Sequence, residues 1–196
     1  MPIRLRGKAK AFELKAQQIR QFAGIPPGAP AQRLDPFALA SQLKLTVIAD
    51  AQQWRQHLPL DARTAEQLFL KDSGGWSGGV TPDREDGTRV VLLNPTHSPQ
   101  RQAATLMEEI CHVLLGHEPS TITPDQNKLR DYNHRIVEEA YGVGAAALLP
   151  CAALQDCRDK SWSDKQIAAH FGISVSLVRF RCRFLELDAL LNPKQD

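Results

Sequence analysis

The sequence predicts an α+β fold in which a small antiparallel sheet is set among amphipathic helices, with a helix-turn-helix-like segment near the C-terminus. Three observations carry that prediction. Strand-like apolar runs cluster between residues 45 and 95, and the stretches on either side repeat apolar residues at steps of three and four. The C-terminal stretch SDKQIAAHFGISVSLVRFRCRFL places Ala168, Gly172 and Val178 at the spacing that lets two short helices cross closely. At 196 residues and 42% apolar, the chain can bury one core of ordinary size, with room for a small appendage.

Taken in order, residues 8 to 23 carry Ala9, Phe12, Ala16, Ile19 and Phe22 on one helical face, and GIPPGAP stops that helix. Asp35 then caps a second helix with Pro36 as its first residue and Phe37, Leu39, Ala40 and Leu43 as its apolar face. LTVIAD, at 45 to 50, reads as a strand, residues 51 to 74 are ambiguous, and GWSGGVTP and TRVVLLNP read as two strands around the charged turn DREDG. Ser98 is the predicted cap of a helix over about 99 to 116, stopped at Gly116. One of its stripes is Ala103, Met107, Ile110 and Leu114, and another is Arg101, Thr105, Glu108 and His112. A polar loop over 117 to 127 leads to a helix over about 128 to 148 that Pro150 closes. Gly142 and Gly144 lie inside it, each costing about 1 kcal/mol against alanine, so close packing is the expected compensation. Two shorter helices follow.

The formal net charge of +2 does not by itself argue for a nucleic-acid partner, but it is unevenly spread. Residues 1 to 20 carry six Lys or Arg against Glu13, residues 158 to 183 carry six against Asp159 and Asp164, and 21 to 157 carry eleven against sixteen acidic residues. Basic ends around an acidic middle suit an acidic partner or simply line solvated helix faces. Neither a signal-peptide core nor a bilayer-length apolar run is present, so a cytoplasmic protein with no membrane partner is expected. Cys111, Cys151, Cys157 and Cys182 lack CxxC spacing and predict reduced thiols.

The stretch RQAATLMEEICHVLLGH, Arg101 to His117, carries the chemistry. In the HExxH pattern two histidines four residues apart share one helix face and hold zinc, while the glutamate beside the first is the general base. Here the five residues are Glu108, Glu109, Ile110, Cys111 and His112, so base and second histidine match and the first histidine is glutamate. Glu108 and His112 project side by side, but a catalytic zinc needs three protein ligands and an open position. Glu139, in IVEEAYGVGAAALLP, is the best third candidate; His97, His117 and His134 remain alternatives for the missing histidine.

With these residues in view, the chain resembles the ImmA/IrrE family of metallopeptidases. That family pairs an RxxFTxAHELGHxLLH helix with a helix reading EAxxFAxxLLxP, and this chain has RQAATLMEEICHVLLGH and EAYGVGAAALLP, with DPFALASQLKLTVI and VVLLNP also in place. The resemblance implies a zincin-like metallopeptidase domain over 1–155 and a helix-turn-helix-like segment over 156–196 packed on it. It implies His112 and Glu139 as metal ligands with Glu109 as catalytic base, and Glu108 as the third ligand in place of histidine. Zn²⁺ is the expected metal, with Mn²⁺ or Fe²⁺ made more competitive by two carboxylates. The implied activity is a regulatory endopeptidase that cleaves a helix-turn-helix repressor in stress response or transcription regulation. The rival is an inactive member that binds a repressor or DNA. For the latter, Ser174, Ser176, Arg179, Arg181 and Arg183 on the second helix of the C-terminal pair are the candidate contacts, able to meet phosphates but with no bidentate base reader among the first three residues, 174 to 176.

Overall fold

The computed structural model describes residues 5–57, 61, 63, 66, 71, 74–81, 87–117 and 134–187. Among the described residues the chain forms eight helices and one three-stranded sheet, divided between two compact units. One unit comprises Asp35–Ala140; the other comprises Met1–Leu34 with Tyr141–Asp196.

In the first unit, α2 (Pro36–Gln42) begins as the sequence predicts, with the Asp35 side chain accepting from the Phe37 amide at 2.9 Å and Pro36 in the first turn. Strand β1 (Leu45–Ile48) leads into α3 (Ala51–His57), whose first amides are met by Asp50. The remaining elements are β2 (Gly78–Val80), β3 (Arg89–Leu93) and α4 (Pro99–Leu114). Most of 58–73 and the DREDG turn except Gly87 lie outside the described residues, as do the polar loop beyond His117 and the predicted helix before His134.

The strand order is β1-β3-β2, and the sheet is mixed, not antiparallel as expected. β2 runs antiparallel to β3, with Val80 opposite Val91, but β1 runs parallel to it, with Thr46 opposite Val90. An apolar strand pattern carries no direction. What permits parallel pairing is a crossover of a dozen or more residues, which the long connection from β1 to β3 supplies. The indole of Trp54 reaches over to donate to the Leu93 carbonyl at 3.1 Å, packing with Ile48, Val90 and Trp76.

That parallel pairing positions α4. It brings the segments just past β1 and β3 together, and Gln102 in the first turns of α4 donates to both the Ala49 carbonyl (2.8 Å) and the Asn94 carbonyl (3.0 Å). Asn94 is fully buried; its side chain donates to the Trp76 carbonyl and accepts from Thr96. Ser98 caps the helix through the Arg101 amide at 3.3 Å, and Leu106, Met107, Ile110 and Cys111 form its buried face.

The second unit is helical: α1 (Gly7–Phe22), the Tyr141–Leu148 part of α5 (His134–Leu148), α6 (Cys151–Asp159), α7 (Asp164–Phe171) and α8 (Val175–Phe184). Three helices therefore follow Pro150 where two were expected; α6 escaped notice because its nine residues carry only Cys151, Ala153, Leu154 and Cys157 as a buried face. Gly142 meets its expected compensation, since a Cβ there would run into the Phe12 ring. Between α7 and α8, Gly172 takes the left-handed conformation (φ 66°) and Ser174 caps the next helix through the Leu177 amide. All four cysteines are buried free thiols. No single helix among the described residues is long and apolar enough to cross a membrane.

Two buried arginines close the end of α5. Arg20 donates to the Ala147 carbonyl at 2.8 Å, and Arg181 donates to the Leu149 carbonyl at 3.0 Å while pairing with Glu13. The other Glu13 oxygen accepts from the Cys151 amide at 3.0 Å, at the start of α6. Removing one partner of such a buried pair strands the other charge and costs about 3–5 kcal/mol. Glu13→Leu should lose stability on that scale in urea denaturation, and Glu13→Leu combined with Arg181→Met should recover part of it. A single-variant loss no larger than the roughly 0.5 kcal/mol of an ordinary surface change would contradict this account.

Candidate metal and acid–base site

α4 presents Glu108, Glu109 and His112 from consecutive turns, and its C-terminus supplies a fourth group. Leu115 caps the helix, Gly116 turns left-handed (φ 68°), and two hydrogen bonds close the end: Gly116 N–H to the Val113 carbonyl at 3.2 Å and His117 N–H to the His112 carbonyl at 3.0 Å. This pattern pairs the second residue past the cap with the residue three back from it, where an apolar contact normally forms. Here that contact is His117 against His112, their rings edge to face with centroids 5.1 Å apart and their Nδ1 atoms 3.1 Å apart. The other nitrogen of His117, Nε2, lies 3.3 Å from Oε2 of Glu139 on α5.

Burial governs the electrostatics. Desolvation of the Glu108 carboxyl pushes its pKa up to about 7, so near neutrality it is shared between acid and carboxylate. His112 is held below the ordinary imidazole value by burial first and by neighbouring His117 second, which favours its neutral form. Cys111 is fully buried and its thiol is pushed far up by burial and then by Glu108, which removes it as a nucleophile and leaves it a packing residue. Glu109 is half-buried on the same helix.

The structure therefore brings His112, His117 and Glu139 together, with Glu108 one helical turn before His112. His97 lies before the first turn of α4, about 20 Å of helix from His112, and His134 is exposed at the start of α5. His117 is the member that spacing alone undervalued. Five residues along a helix is the wrong face, but the Gly-His pair directly after a helix is the signal that the chain folds back.

Two imidazoles and two carboxylates are donor types that zinc accepts, and neighbouring donors around a tetrahedral zinc stand about 3.3 Å apart, close to the two separations found here. The positions do not follow the donor types. His117 turns opposite ring nitrogens to His112 and to Glu139, so its ring stands between them. Among the described residues no three His, Cys, Asp or Glu side chains form a group that could hold a metal ion. As arranged, the cluster is hydrogen-bonded, with Nδ1 of His112 and Oε2 of Glu139 both turned to His117.

The candidate DNA contacts separate more sharply. Arg181 is wholly buried, tied to Glu13 and the Leu149 carbonyl, and so cannot meet a phosphate. Arg179 is exposed but pairs with Asp164 at 3.1 Å, Ser174 is spent on its helix cap, and Ser176 and Arg183 are exposed. A groove of about 720 Å³ runs beside Leu14, Ile25, Pro27, Pro150 and Ala152 and includes none of the motif residues.

One unit thus holds a small mixed sheet, a helix bearing adjacent glutamates ahead of a histidine, and the start of a second helix bearing a carboxylate. Residues 62–183 match the IrrE N-terminal-like domain, peptidase family M78, and the chain belongs to that ImmA/IrrE family. No curated protein matches it.

Glu108 gives a test of this electrostatic account. Its proton is held in the fold to a higher pH than in the unfolded chain, so stability should fall as pH rises from about 4.5 through about 7 and level off beyond. Glu108→Gln should therefore be more stable than wild type at pH 8, by roughly 1–3 kcal/mol, and nearly equal to it at pH 4. Equal unfolding midpoints at both pH values would contradict the burial of this carboxyl.

Proposed function

We propose that this chain is a regulatory endopeptidase of the metallopeptidase type, with a zincin-like domain, acting on a helix-turn-helix transcriptional repressor. The observation that carries this reading is the convergence of His112, His117 and Glu139 beside the Glu108–Glu109 turn of α4. In it Glu109 is the general base, taking the proton of the attacking water and passing it to the leaving amine. Glu108, His112 and Glu139 are the residues assigned to hold the metal, Zn²⁺ or the harder Mn²⁺ or Fe²⁺. When bound, such an ion supplies carbonyl polarisation and a more acidic water. His112 accepts only when neutral, the form its burial favours. Glu108 contributes charge only once its own proton is gone, so any cation binding through it should strengthen above about pH 7.

A second reading is favoured by one specific observation, the His117 ring standing between two of those assigned ligands. In it the chain is a catalytically silent family member that binds a repressor, or binds DNA through its helix-turn-helix-like α7–α8 pair. Of the proposed contacts, Ser176 and Arg183 are exposed with no cap or ion pair among the described residues, which leaves little charge to hold a phosphate backbone.

Two measurements separate the readings. Purified protein should carry stoichiometric metal, and Glu109→Gln should cut repressor cleavage by about 10²–10⁴-fold with the fold unchanged by circular dichroism. Metal-free protein that binds the intact repressor, with Glu109→Gln indistinguishable from wild type, supports the silent reading instead. For DNA, Arg183→Ala should weaken binding and flatten its salt dependence; an unchanged salt slope removes α8 as a phosphate contact.

A further inference from the structure

The groove beside α1 and α6 lies wholly within the helical unit, to which every residue lining it belongs. Its walls are apolar: Leu5 before α1 and Leu14 on it, Ile25, Pro27 and Pro30 from the loop that follows, and Ala152 from α6. Leu14 is a large side chain left 54% exposed. The volume of about 720 Å³ falls within the ~300–1,000 Å³ usual for small-molecule sites. The walls are also held in place. Arg20 lines the groove while itself only 5% exposed, and its Nη2 donates to the carbonyls of Ala29, Pro30 and Gln32. Its Nη1 holds the Ala147 carbonyl, so one side chain ties the proline-rich loop to the end of α5.

The charged groups of the groove are unevenly answered. Asp156 pairs with Lys160 at 2.7 Å and Asp159 accepts from Gln155 at 2.8 Å; both carboxylates are exposed to water, as is Lys10. Glu13 is spent on both oxygens, one on Arg181 and one on the Cys151 amide. Arg20 is left as a buried cation whose bonds all go to carbonyls and whose Nε meets no acceptor among the described residues. Behind Glu13, Nη1 of Arg181 is likewise buried without a partner among the described residues. Two guanidinium groups against one carboxylate leave this buried cluster with a positive charge in excess and too few acceptors. Burial accordingly holds Arg20 below the ordinary guanidinium value, with Glu13 opposing.

We infer that the groove is a binding site for a single-chain fatty acid, its alkyl tail laid along the leucine, proline and alanine walls and its carboxylate turned to the Arg20 guanidinium. The carboxylate supplies the acceptor and the negative charge that the cluster lacks, and the tail covers Leu14. A neutral ligand of the same shape leaves the excess charge unanswered, and a cationic one adds to it. None of the motif residues lines the groove, so this site stands or falls apart from the proposed peptidase chemistry.

The test is isothermal titration calorimetry of the full chain with monomeric dodecanoate. Dodecyltrimethylammonium serves as the same tail with the opposite charge, and acetate as the head without the tail. Dodecanoate should saturate one site below about 1 mM, as a ligand of that size permits. The ammonium should bind at least about tenfold more weakly, the worth of a hydrogen bond to a charged group, and acetate should give no saturable heat. The charge is read from the ligand and not from an Arg20 variant, because losing Arg20 also removes its bonds to four carbonyls. Ala152→Trp, at an exposed position of α6, fills the groove and should lower dodecanoate affinity about tenfold or more with helix content unchanged. Should that variant fail to fold, Leu14→Glu at the exposed edge of α1 takes its place: it should weaken dodecanoate several-fold and leave the ammonium no weaker. Absence of saturation by about 1 mM overturns the inference. So does equal affinity for the two charged heads, or a dodecanoate affinity unmoved in the folded groove variant.

Discussion

The end of α5 is the constraint around which the helical unit is organised. A helix leaves its last carbonyls without partners inside it, and here Pro150 forbids continuing the helix to satisfy them. Because Ala147 and Leu149 lie in the interior, water is excluded and the partners have to be side chains. Arg20 from α1 and Arg181 from α8 take that role, each a cation placed at the negative end of a helix dipole. Two buried cations then require an anion. Glu13 answers Arg181, and its second oxygen caps the first amide of α6, where the Pro150 N-cap offers no side chain. One proline thus dictates three charged side chains on two other helices, and the burial that makes Arg181 structural is what removes it from any surface role.

The site obeys the same accounting at another helix end. α4 also has carbonyls to satisfy, and it does so with its own backbone through the left-handed Gly116. The solution has a side effect: it delivers the residue after the glycine next to the third-last residue of the helix. In most proteins that contact is apolar and merely seals the turn. With histidine at both positions it becomes an acid–base pair, and Glu139 sits where it completes the pair. The neighbourhood of the motif is therefore set by helix termination as much as by the spacing of four between Glu108 and His112.

This explains what was legible in the sequence. Helix starts were, because Asp35-Pro36 and Ser98-Pro99 are local signals whose physics needs no tertiary partner. The motif helix was legible too, and so was Glu139, through resemblance. Strand direction was not, since the alternation in LTVI and RVVLL says which face is buried and nothing about which way the neighbour runs. Arg181 was misjudged for a related reason: RFRCR looks like an exposed basic stripe until a carbonyl and a carboxylate from segments 32 and 168 residues away are set against its middle member. His117 sat between the two cases, its turn encoded locally but its partner Glu139 supplied from another helix.

The exchange of histidine for Glu108 gains its meaning from that neighbourhood. An imidazole there would be neutral and ready to donate a lone pair; a carboxyl in the same half-buried place keeps its proton to about pH 7 and offers charge only above it. Glu139, the other carboxylate, is already hydrogen-bonded to His117. Anything entering the site to take both carboxylates through these atoms must therefore remove a proton from Glu108 and compete with His117 for Oε2 of Glu139. At about 0.5–1.5 kcal/mol net for the one hydrogen bond given up, that is a roughly twofold to tenfold handicap against a site with free ligands. A strongly charged guest overcomes such a handicap where a weak one does not. The consequence of Glu108 is thus a site selective for strength of charge, and it follows from proton and hydrogen-bond accounting without reference to what the guest is.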